Sequence, residues 1–269
     1  MGEYLLRTEG VGKNFGSIVA LDHVDFAIKP GEVMGVIGDN GAGKSTFIKT
    51  LSGVHKASKG YIYFEDRLVS FENPRQAIEA GIETVYQDLA LAPHLDVVSN
   101  IYLGRETLRE KGLSRALGIL DRPAMRARTK EVLDRLKITI HSVTQTVGTL
   151  SGGQRQAVAI ARVIAWGSKL VILDEPTAAL GVEESEKVLH LIREVASQGV
   201  AVILISHTLP HVMKVCDKMT IFRLGRSVAT VRREDTTLDE LVMWITGSKT
   251  ADTPVAAKED SGSPDTTVQ

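Results

Sequence analysis

The segment from Gly38 to Ser45 reads G-D-N-G-A-G-K-S, and it decides the fold of this 269-residue chain. It matches the phosphate-loop pattern G-x-x-x-x-G-K-S, in which glycines let backbone N–H groups turn inward onto phosphate oxygens. An apolar strand is predicted over 32–37, and a helix is predicted from Lys44 to about Ser52. A chance glycine-rich turn is the alternative, but the strand before the loop and the helix after it favour a nucleotide site.

The loop predicts specific contacts with a nucleotide. Lys44 is expected to reach the β- and γ-phosphates, and the Ser45 hydroxyl to contact Mg²⁺. The loop and the following residue supply the predicted nucleotide-binding residues, which are Gly38, Asp39, Asn40, Gly41, Ala42, Gly43, Lys44, Ser45 and Thr46. By itself this pattern indicates only that a nucleotide phosphate is held.

A second chemical signal is the acidic pair Asp174-Glu175, which ends the apolar run 170–173. The carboxyl ends of parallel strands form the ligand-binding edge of a sheet. Asp174 is therefore expected to hold Mg²⁺ through water, and Glu175 to orient the attacking water or take its proton. Because Pro176-Thr177 follows, the pair could instead cap a helix, but the phosphate loop favours the catalytic interpretation.

The pentapeptide L-S-G-G-Q occupies residues 150–154, upstream of the acidic strand. It precedes a helix predicted from about Gln154 to Ala165, and a serine with two glycines at a helix start can bind an anion. One ATP needs only one phosphate loop, so a second anion-binding helix start calls for another explanation. A merely capped helix is the alternative, because Ser151 is also a good N-cap residue.

These motifs, in this order, resemble the ATP-binding cassette (ABC) ATPases over about residues 4–247. The resemblance implies that the signature segment of one subunit binds the γ-phosphate of ATP held by the other. The signature residues assigned to ATP are Ser151, Gly152, Gly153 and Gln154. It also implies a fold of the α/β class, in which a P-loop NTPase core with a parallel sheet carries an antiparallel β subdomain. A helical subdomain is inserted at about residues 88–165.

Three single residues gain roles from the same resemblance. Gln87 follows a strand predicted over 82–86 and would contact Mg²⁺ or water. His207 ends a predicted strand and would lie near the γ-phosphate, and Phe15 would stack on adenine. Taken alone, such a glutamine is more often solvated, such a histidine more often a capping or packing residue, and Phe15 could equally be a core aromatic.

Local patterns agree with this organisation. Residues 3–30 and 59–72 are predicted to be rich in strands, and 93–165 to be mostly helical. One helix face is formed by apolar side chains and a threonine, namely Met125, Thr129, Val132, Leu133 and Leu136. The runs 170–173 and 200–205 are continuously apolar, as strands buried on both faces are. The tail 250–269 contains almost no large apolar residue and is predicted to be disordered.

Composition limits the partners. The formal net charge is −1, so no overall positive field favours nucleic acid. Eight basic residues lie between Arg105 and Lys130, where a solvated helical face is a better interpretation than a nucleic-acid or lipid patch. The single cysteine fits a reducing compartment, and neither a signal peptide nor a run of about 20 apolar residues is found. A cytosolic protein is expected, which reaches a membrane through a partner.

Within the family, the segments 38–45, 81–87 and 176–181 look like the monosaccharide-importer branch, most similar to bacterial fructose-type import ATPases. The resemblance implies a homodimer at the cytoplasmic face of the inner membrane. It would drive a transmembrane sugar permease, supplied indirectly by an extracytoplasmic sugar-binding protein. Gly181 departs from the aspartate that many ABC proteins have there; the sugar branch tolerates this departure, and the usual cross-dimer aspartate contact is left open. The sequence does not name the sugar, because permease and binding protein select it.

Two other classes of protein carry some of the same motifs. Soluble ABC ATPases that act on nucleic acid usually carry a long coiled-coil insertion or two cassettes with a charged linker, and neither feature is found. A non-hydrolysing nucleotide sensor is the other class, but the intact Lys44, Asp174, Glu175 and His207 argue against it. Co-purification of a permease, of nucleic acid or of uncleaved ATP would separate the three classes.

Overall fold

The computed structural model describes residues 3–109 and 118–250, and within these ranges ten strands form two sheets. The strands are β1 (Leu6–Phe15), β2 (Ile18–Ile28), β3 (Val33–Gly38), β4 (Lys59–Phe64), β5 (Arg67–Val69), β6 (Ile82–Val85), β7 (Leu170–Asp174), β8 (Ala201–Ile205), β9 (Lys218–Arg223) and β10 (Arg226–Arg232). The helices are α1 (Lys44–Leu51), α2 (Pro74–Ala80), α3 (Val97–Tyr102), α4 (Arg122–Arg135), α5 (Gly152–Ile164), α6 (Val182–Ser197), α7 (Leu209–Val215) and α8 (Leu238–Thr246). Short 3₁₀ helices cover Val147–Thr149 and Arg233–Asp235.

The larger sheet has six strands in the order β10-β9-β3-β8-β7-β6. All neighbours are parallel except β10, which pairs antiparallel with β9 at one edge. The central strands β3, β7 and β8 are buried almost throughout, which explains their continuously apolar sequences. The predicted parallel core is confirmed, and it brings the carboxyl ends of β3, β6, β7 and β8 to one edge.

The smaller sheet is antiparallel, in the order β2-β1-β4-β5, and confirms the predicted β subdomain. Its inner face packs on α1 and the larger sheet in one hydrophobic cluster. Phe47 of α1 lies at the centre, with ring centroids 5.3 Å from Phe26 and 5.1 Å from Phe222. The two sheets therefore enclose the helix that follows the phosphate loop.

Within the described residues, the segment between β6 and β7 carries α3, α4 and α5. The predicted face of α4 is confirmed, since Met125, Thr129, Val132 and Leu133 are all buried. The opposite face exposes Arg122, Arg126, Arg128 and Lys130, as expected for a solvated basic face. Part of the predicted insert, 110–117, and the predicted disordered tail from 251 onward lie outside the described residues.

Helix α5 begins at Gly152, two residues before the predicted start at Gln154. The reason is a capping box at its first turn. The Ser151 hydroxyl accepts from the Gln154 backbone N–H at 3.3 Å, and Gln154 Oε1 accepts from the Ser151 N–H at 3.1 Å. The two glycines of the signature are therefore the first helical residues rather than a loop before the helix.

None of the helices within residues 3–109 and 118–250 combines the length and the apolar character that a membrane crossing requires.

Candidate functional site

The phosphate loop connects β3 to α1 through a backbone that requires glycine. Gly38 has φ 151°, and a Cβ there would lie 2.2 Å from the Phe222 carbonyl oxygen. Gly43 is the N-cap of α1 with φ 103°, and a Cβ there would lie 2.9 Å from Leu21 Cδ2. Side chains at either position would clash or strain the backbone, so these two glycines hold the loop in its tight path.

Lys44 closes this loop from within. Its Nζ donates to the carbonyl oxygens of Gly38 at 2.7 Å and Asp39 at 2.9 Å. Burial lowers the pKa of Lys44, against the opposing effect of the nearby carboxylates of Glu175, Asp39 and Asp174. The ammonium group is therefore partly desolvated and surrounded by oxygen acceptors, and it can bind an anion in the loop.

A cavity of about 710 Å³ opens at the carboxyl edge of the large sheet, beside the loop. Predicted site residues from four separate parts of the chain line it, namely Asn40, Gly41, Ala42, Gly43, Lys44, Ser45, Thr46, Gln87, Asp174, Glu175 and His207. Gln87 follows β6, Asp174 ends β7, and His207 follows β8. The predicted convergence of these strand ends on one site is thus present in the structure.

Glu175 and His207 form a close polar pair in this cavity. Glu175 Oε1 lies 2.8 Å from His207 Nδ1 and accepts the His207 backbone N–H at 3.1 Å. The Glu175 side chain is only 16% exposed, whereas that of His207 is 71% exposed. Among the described residues no donor lies within hydrogen-bond distance of Glu175 Oε2, which is buried. One carboxylate oxygen is thus anchored and the other retains its full capacity as an acceptor.

Asp174 is electrostatically strained. Burial and then the neighbouring Glu175 carboxylate raise the pKa of Asp174, while Lys49 and Lys44 act in the opposite direction. A half-buried carboxylate beside a second carboxylate favours a nearby cation. Ser45 and Gln87 add neutral oxygen atoms in the same cavity, and such hard oxygen donors suit Mg²⁺.

The signature residues lie apart from this cavity. Ser151, Gly152, Gly153 and Gln154 form the start of α5 and do not line it. One subunit therefore brings together the phosphate loop, the acidic strand end and His207, but not the second anion-binding helix start.

Phe15 also lies outside the cavity lining. It ends β1, is 44% exposed, and makes an edge contact with His55 at a centroid distance of 5.0 Å. Its strand partner Ile18, however, does line the cavity. Stacking of Phe15 on adenine stays a prediction.

The cavity has a wall that sequence reasoning missed. It consists of mostly apolar and small residues, namely Ile18, Val19, Ala20, Ala178, Ile205, Leu224 and Gly225. Ile18, Val19 and Leu224 are largely exposed. An exposed apolar wall beside a phosphate loop suits the flat base of a nucleotide. In the sequence, only the apolar pair Ile18-Val19, close to Phe15, could have indicated this wall.

Gly181, which stands where many ABC proteins have aspartate, is the N-cap of α6 with φ −67°. No atom of the described residues lies within 4 Å of a Cβ placed there. The local backbone therefore does not require glycine, and an aspartate at this position would meet open space.

A family model described as ABC transporter matches residues 21–178. The fructose import ATP-binding protein FrcA of Rhizobium meliloti is 47% identical over 92% of this chain and 95% of its own length. The xylose/arabinose import ATP-binding protein XylG of Sulfolobus acidocaldarius is 41% identical over 90% of this chain and 94% of its own length.

Solved structures agree with these sequence matches. A nucleotide-free ATP-binding cassette from an ABC transporter superposes with a TM-score of 0.77 at 27% identity, over 90% of this chain and 98% of that one. A bacterial ABC transporter cassette solved as a dimer superposes with a TM-score of 0.69 over 85% of this chain and 98% of that one. At 23% identity, this second match speaks for the fold alone.

Proposed function

The chain belongs to the ABC transporter family of ATPases, and from that premise we propose that it is the ATP-hydrolysing subunit of a monosaccharide importer. The observation that carries the proposal is the single cavity lined by Lys44, Asp174, Glu175 and His207. These residues provide the groups that phosphoryl transfer to water needs, which are charge stabilisation and an oriented nucleophile.

ATP is proposed to bind with its phosphates in the loop. The N–H groups of the loop and the start of α1 face the phosphate oxygens, and Lys44 exchanges its bonds to Gly38 and Asp39 for the β- and γ-phosphates. The partial desolvation of Lys44 strengthens that interaction. The base is proposed to lie along the apolar wall near Val19, with Phe15 at its outer end.

Mg²⁺ fits the residues present. Ser45, Gln87 and Asp174 offer oxygen donors, and a cation beside Asp174 would offset the burial and the Glu175 charge that raise the pKa of Asp174. The described residues contain no cluster of three or more His, Cys, Asp or Glu side chains suited to a metal, so the nucleotide would have to complete the coordination. When bound, Mg²⁺ supplies positive charge next to the transferred phosphoryl group.

Glu175 is proposed to orient the attacking water. Its Oε1 is held by His207, and its Oε2 has no donor among the described residues, so this second oxygen can accept a proton or a hydrogen bond from water. His207, largely exposed at the cavity, would then contact the γ-phosphate and report its presence to Glu175.

A second copy of the chain is proposed to complete the site. The signature residues Ser151, Gly152 and Gly153 lie outside the cavity of their own subunit, so a symmetric dimer can place them over the partner's ATP. Two ATP molecules would then be enclosed between two subunits. Closure would move the helical segment between β6 and β7 against a permease, and hydrolysis would add charge repulsion that reopens the dimer.

The proposed location follows from these partners. The chain would bind peripherally at the cytoplasmic face of the inner membrane, on a transmembrane sugar permease. An extracytoplasmic sugar-binding protein would deliver the sugar without touching this subunit. Among the named relatives, the fructose import protein has the higher identity over nearly its whole length, which supports fructose as the first sugar to test.

The experiment pairs a biochemical measurement with a transport measurement. Glu175→Gln should bind ATP and accumulate as an ATP-dependent dimer on gel filtration, while the wild type turns ATP over. Cells that lack the gene should regain uptake of labelled monosaccharide with the wild type but not with Lys44→Ala. Rapid ATP turnover by Glu175→Gln, or equal sugar uptake with and without Lys44, would contradict the proposal.

A further inference from the structure

Glu184, in the first turn of α6, packs directly against the signature glycines. A Cβ at Gly153 would lie 3.1 Å from Glu184 Cβ and 3.4 Å from its Cγ. A Cβ at Gly152 would lie 3.5 Å from Glu184 Oε2. The absence of side chains at these two positions therefore lets an acidic side chain approach the start of α5.

The chemistry at this contact is that of an anion at a helix start. The Ser151 hydroxyl, followed by the backbone N–H groups of Gly153 and Gly181, lowers the pKa of Glu184. These groups favour the charged form of the Glu184 side chain, and the helix dipole of α5 adds to the attraction. The carboxylate thus interacts with Ser151 and Gly153, the groups that the proposed function assigns to the partner's γ-phosphate.

The neighbouring Glu183 is different. It is 83% exposed and pairs with Lys187 one turn later, at 2.7 Å. Two adjacent glutamates on one helix turn therefore have separate partners, since Glu184 faces the signature and Glu183 faces a lysine on its own helix. This difference provides a control with the same charge at almost the same place.

We infer that Glu184 occupies the anion-binding end of α5 in the free subunit and competes there with the γ-phosphate of the partner's ATP. The inference rests on the proposed function, because it concerns the same helix start. Dimer closure then requires the carboxylate to leave Ser151 and Gly153, or to remain beside a like charge. Glu184 thereby raises the ATP concentration at which the dimer closes, without touching the ATP in its own loop.

The test uses the full chain carrying Glu175→Gln, in which ATP hydrolysis is not expected to dissociate the dimer. ATP is titrated with Mg²⁺ present, and dimer is measured by analytical ultracentrifugation for this parent, for added Glu184→Gln and for added Glu183→Gln. Glutamine keeps the size and hydrogen-bonding capacity of the side chain and removes its charge. Nucleotide affinity is measured in parallel at a protein concentration below dimerisation, and thermal unfolding reports on folding.

Glu184→Gln is expected to lower the half-maximal ATP concentration for dimerisation about three- to tenfold, the scale of one like charge removed near a charged ligand at a partly exposed site. Glu183→Gln should stay within about twofold of the parent, because the Glu183 charge is exposed to solvent and paired with Lys187. The nucleotide affinity of the monomer should be the same in all three chains.

An unchanged or raised threshold for Glu184→Gln, in a folded chain, overturns the inference and leaves the proposed function standing. An equal fall for both variants also overturns it, since it would report net charge rather than this contact. Absence of an ATP-dependent dimer from all three chains overturns the proposed function and the inference with it.

Discussion

Glu175 and His207 are joined at two points, because Glu175 Oε1 lies 2.8 Å from His207 Nδ1 and 3.1 Å from the His207 backbone nitrogen. The backbone at Glu175 has φ 51°, an uncommon conformation for a residue with a side chain. Its own N–H donates to the Ile205 carbonyl at 3.0 Å, so the chains that follow β7 and β8 are tied together. Strain of this kind persists where the surrounding structure enforces it, and it is often found at catalytic groups.

Replacing His207 tests whether this pair works in hydrolysis. His207→Ala removes the Nδ1 contact but leaves the phosphate loop intact. ATP turnover should fall by about 10²-fold or more, within the range for a positioned catalytic group, while ATP affinity changes by less than about threefold. Steady-state ATPase and equilibrium nucleotide binding measure the two effects.

His190→Ala, on the exposed face of α6, is the matched control and should leave both quantities unchanged. Wild-type turnover in His207→Ala would remove His207 from the mechanism.

Replacing Asp174 with asparagine is expected to raise the stability of the chain and to lower its ATPase activity. Its pKa is raised above the ordinary value of 3.8 by burial and by Glu175, so folding favours the neutral form. At neutral pH the ionised carboxylate therefore costs stability, and Asp174→Asn should unfold at a higher temperature. Each kcal/mol regained raises the Tm by roughly 2–4 °C in a chain of this size. ATP hydrolysis should be largely lost, because the proposed Mg²⁺ ligand loses its charge.

The stability gain depends on pH in a definite direction. It is complete above the raised pKa of folded Asp174, shrinks as the pH falls through that pKa, and vanishes below the ordinary value, where both states are protonated. Thermal unfolding of both chains at several pH values measures this. A lower Tm for Asp174→Asn at neutral pH would show that the carboxylate stabilises the fold.

The glycines of the phosphate loop give a prediction about folding alone. At Gly38 a Cβ would lie 2.2 Å from a backbone oxygen, that of Phe222, which has little freedom to move. Gly38→Ala should therefore destabilise the chain by about 3 kcal/mol or more. Gly41 has φ 78° and no atom of the described residues within 4 Å of a Cβ, so Gly41→Ala should cost only about 1–2 kcal/mol. Urea unfolding without nucleotide compares them, and equal losses would refute the argument.

Much of the site could be predicted because its signals are local. The phosphate loop is one continuous segment, the pair Asp174-Glu175 comes directly after the apolar run 170–173, and His207 closely follows the apolar run 200–205. Since the carboxyl ends of parallel strands lie at one edge of the sheet, the order of these segments along the chain is enough to predict that their ends lie close together. The roles of Gln87 and His207 are assigned by the resemblance to the ABC ATPases, and both residues line the same cavity.

The remaining features depend on contacts between distant parts of the chain. Leu224 and Gly225, in the turn between β9 and β10, join the cavity because that turn packs against Ala20 of β2, whose carbonyl would lie 2.9 Å from a Cβ at Gly225. Neither segment has a hydrophobic periodicity that would predict this contact. The early start of α5 was missed because side-chain capping, rather than apolar spacing, sets it. The approach of Glu184 to the signature also depends on how α5 and α6 pack.

The most direct test of the central claim, that each site is shared between two subunits, is to mix two inactive chains. Lys44→Ala lacks a working phosphate loop but keeps its signature. Ser151→Asp keeps its loop, and aspartate retains the N-cap of α5 while opposing the partner's γ-phosphate with like charge. In an isologous dimer of the two, one site has both parts intact.

ATP hydrolysis is measured for each variant alone and for an equal mixture. The account predicts that each alone is nearly inactive and that mixing restores activity, up to roughly a quarter of the wild-type rate if dimers form at random. A mixture that shows only the average of its two components would contradict the account, because each chain would then build its site by itself.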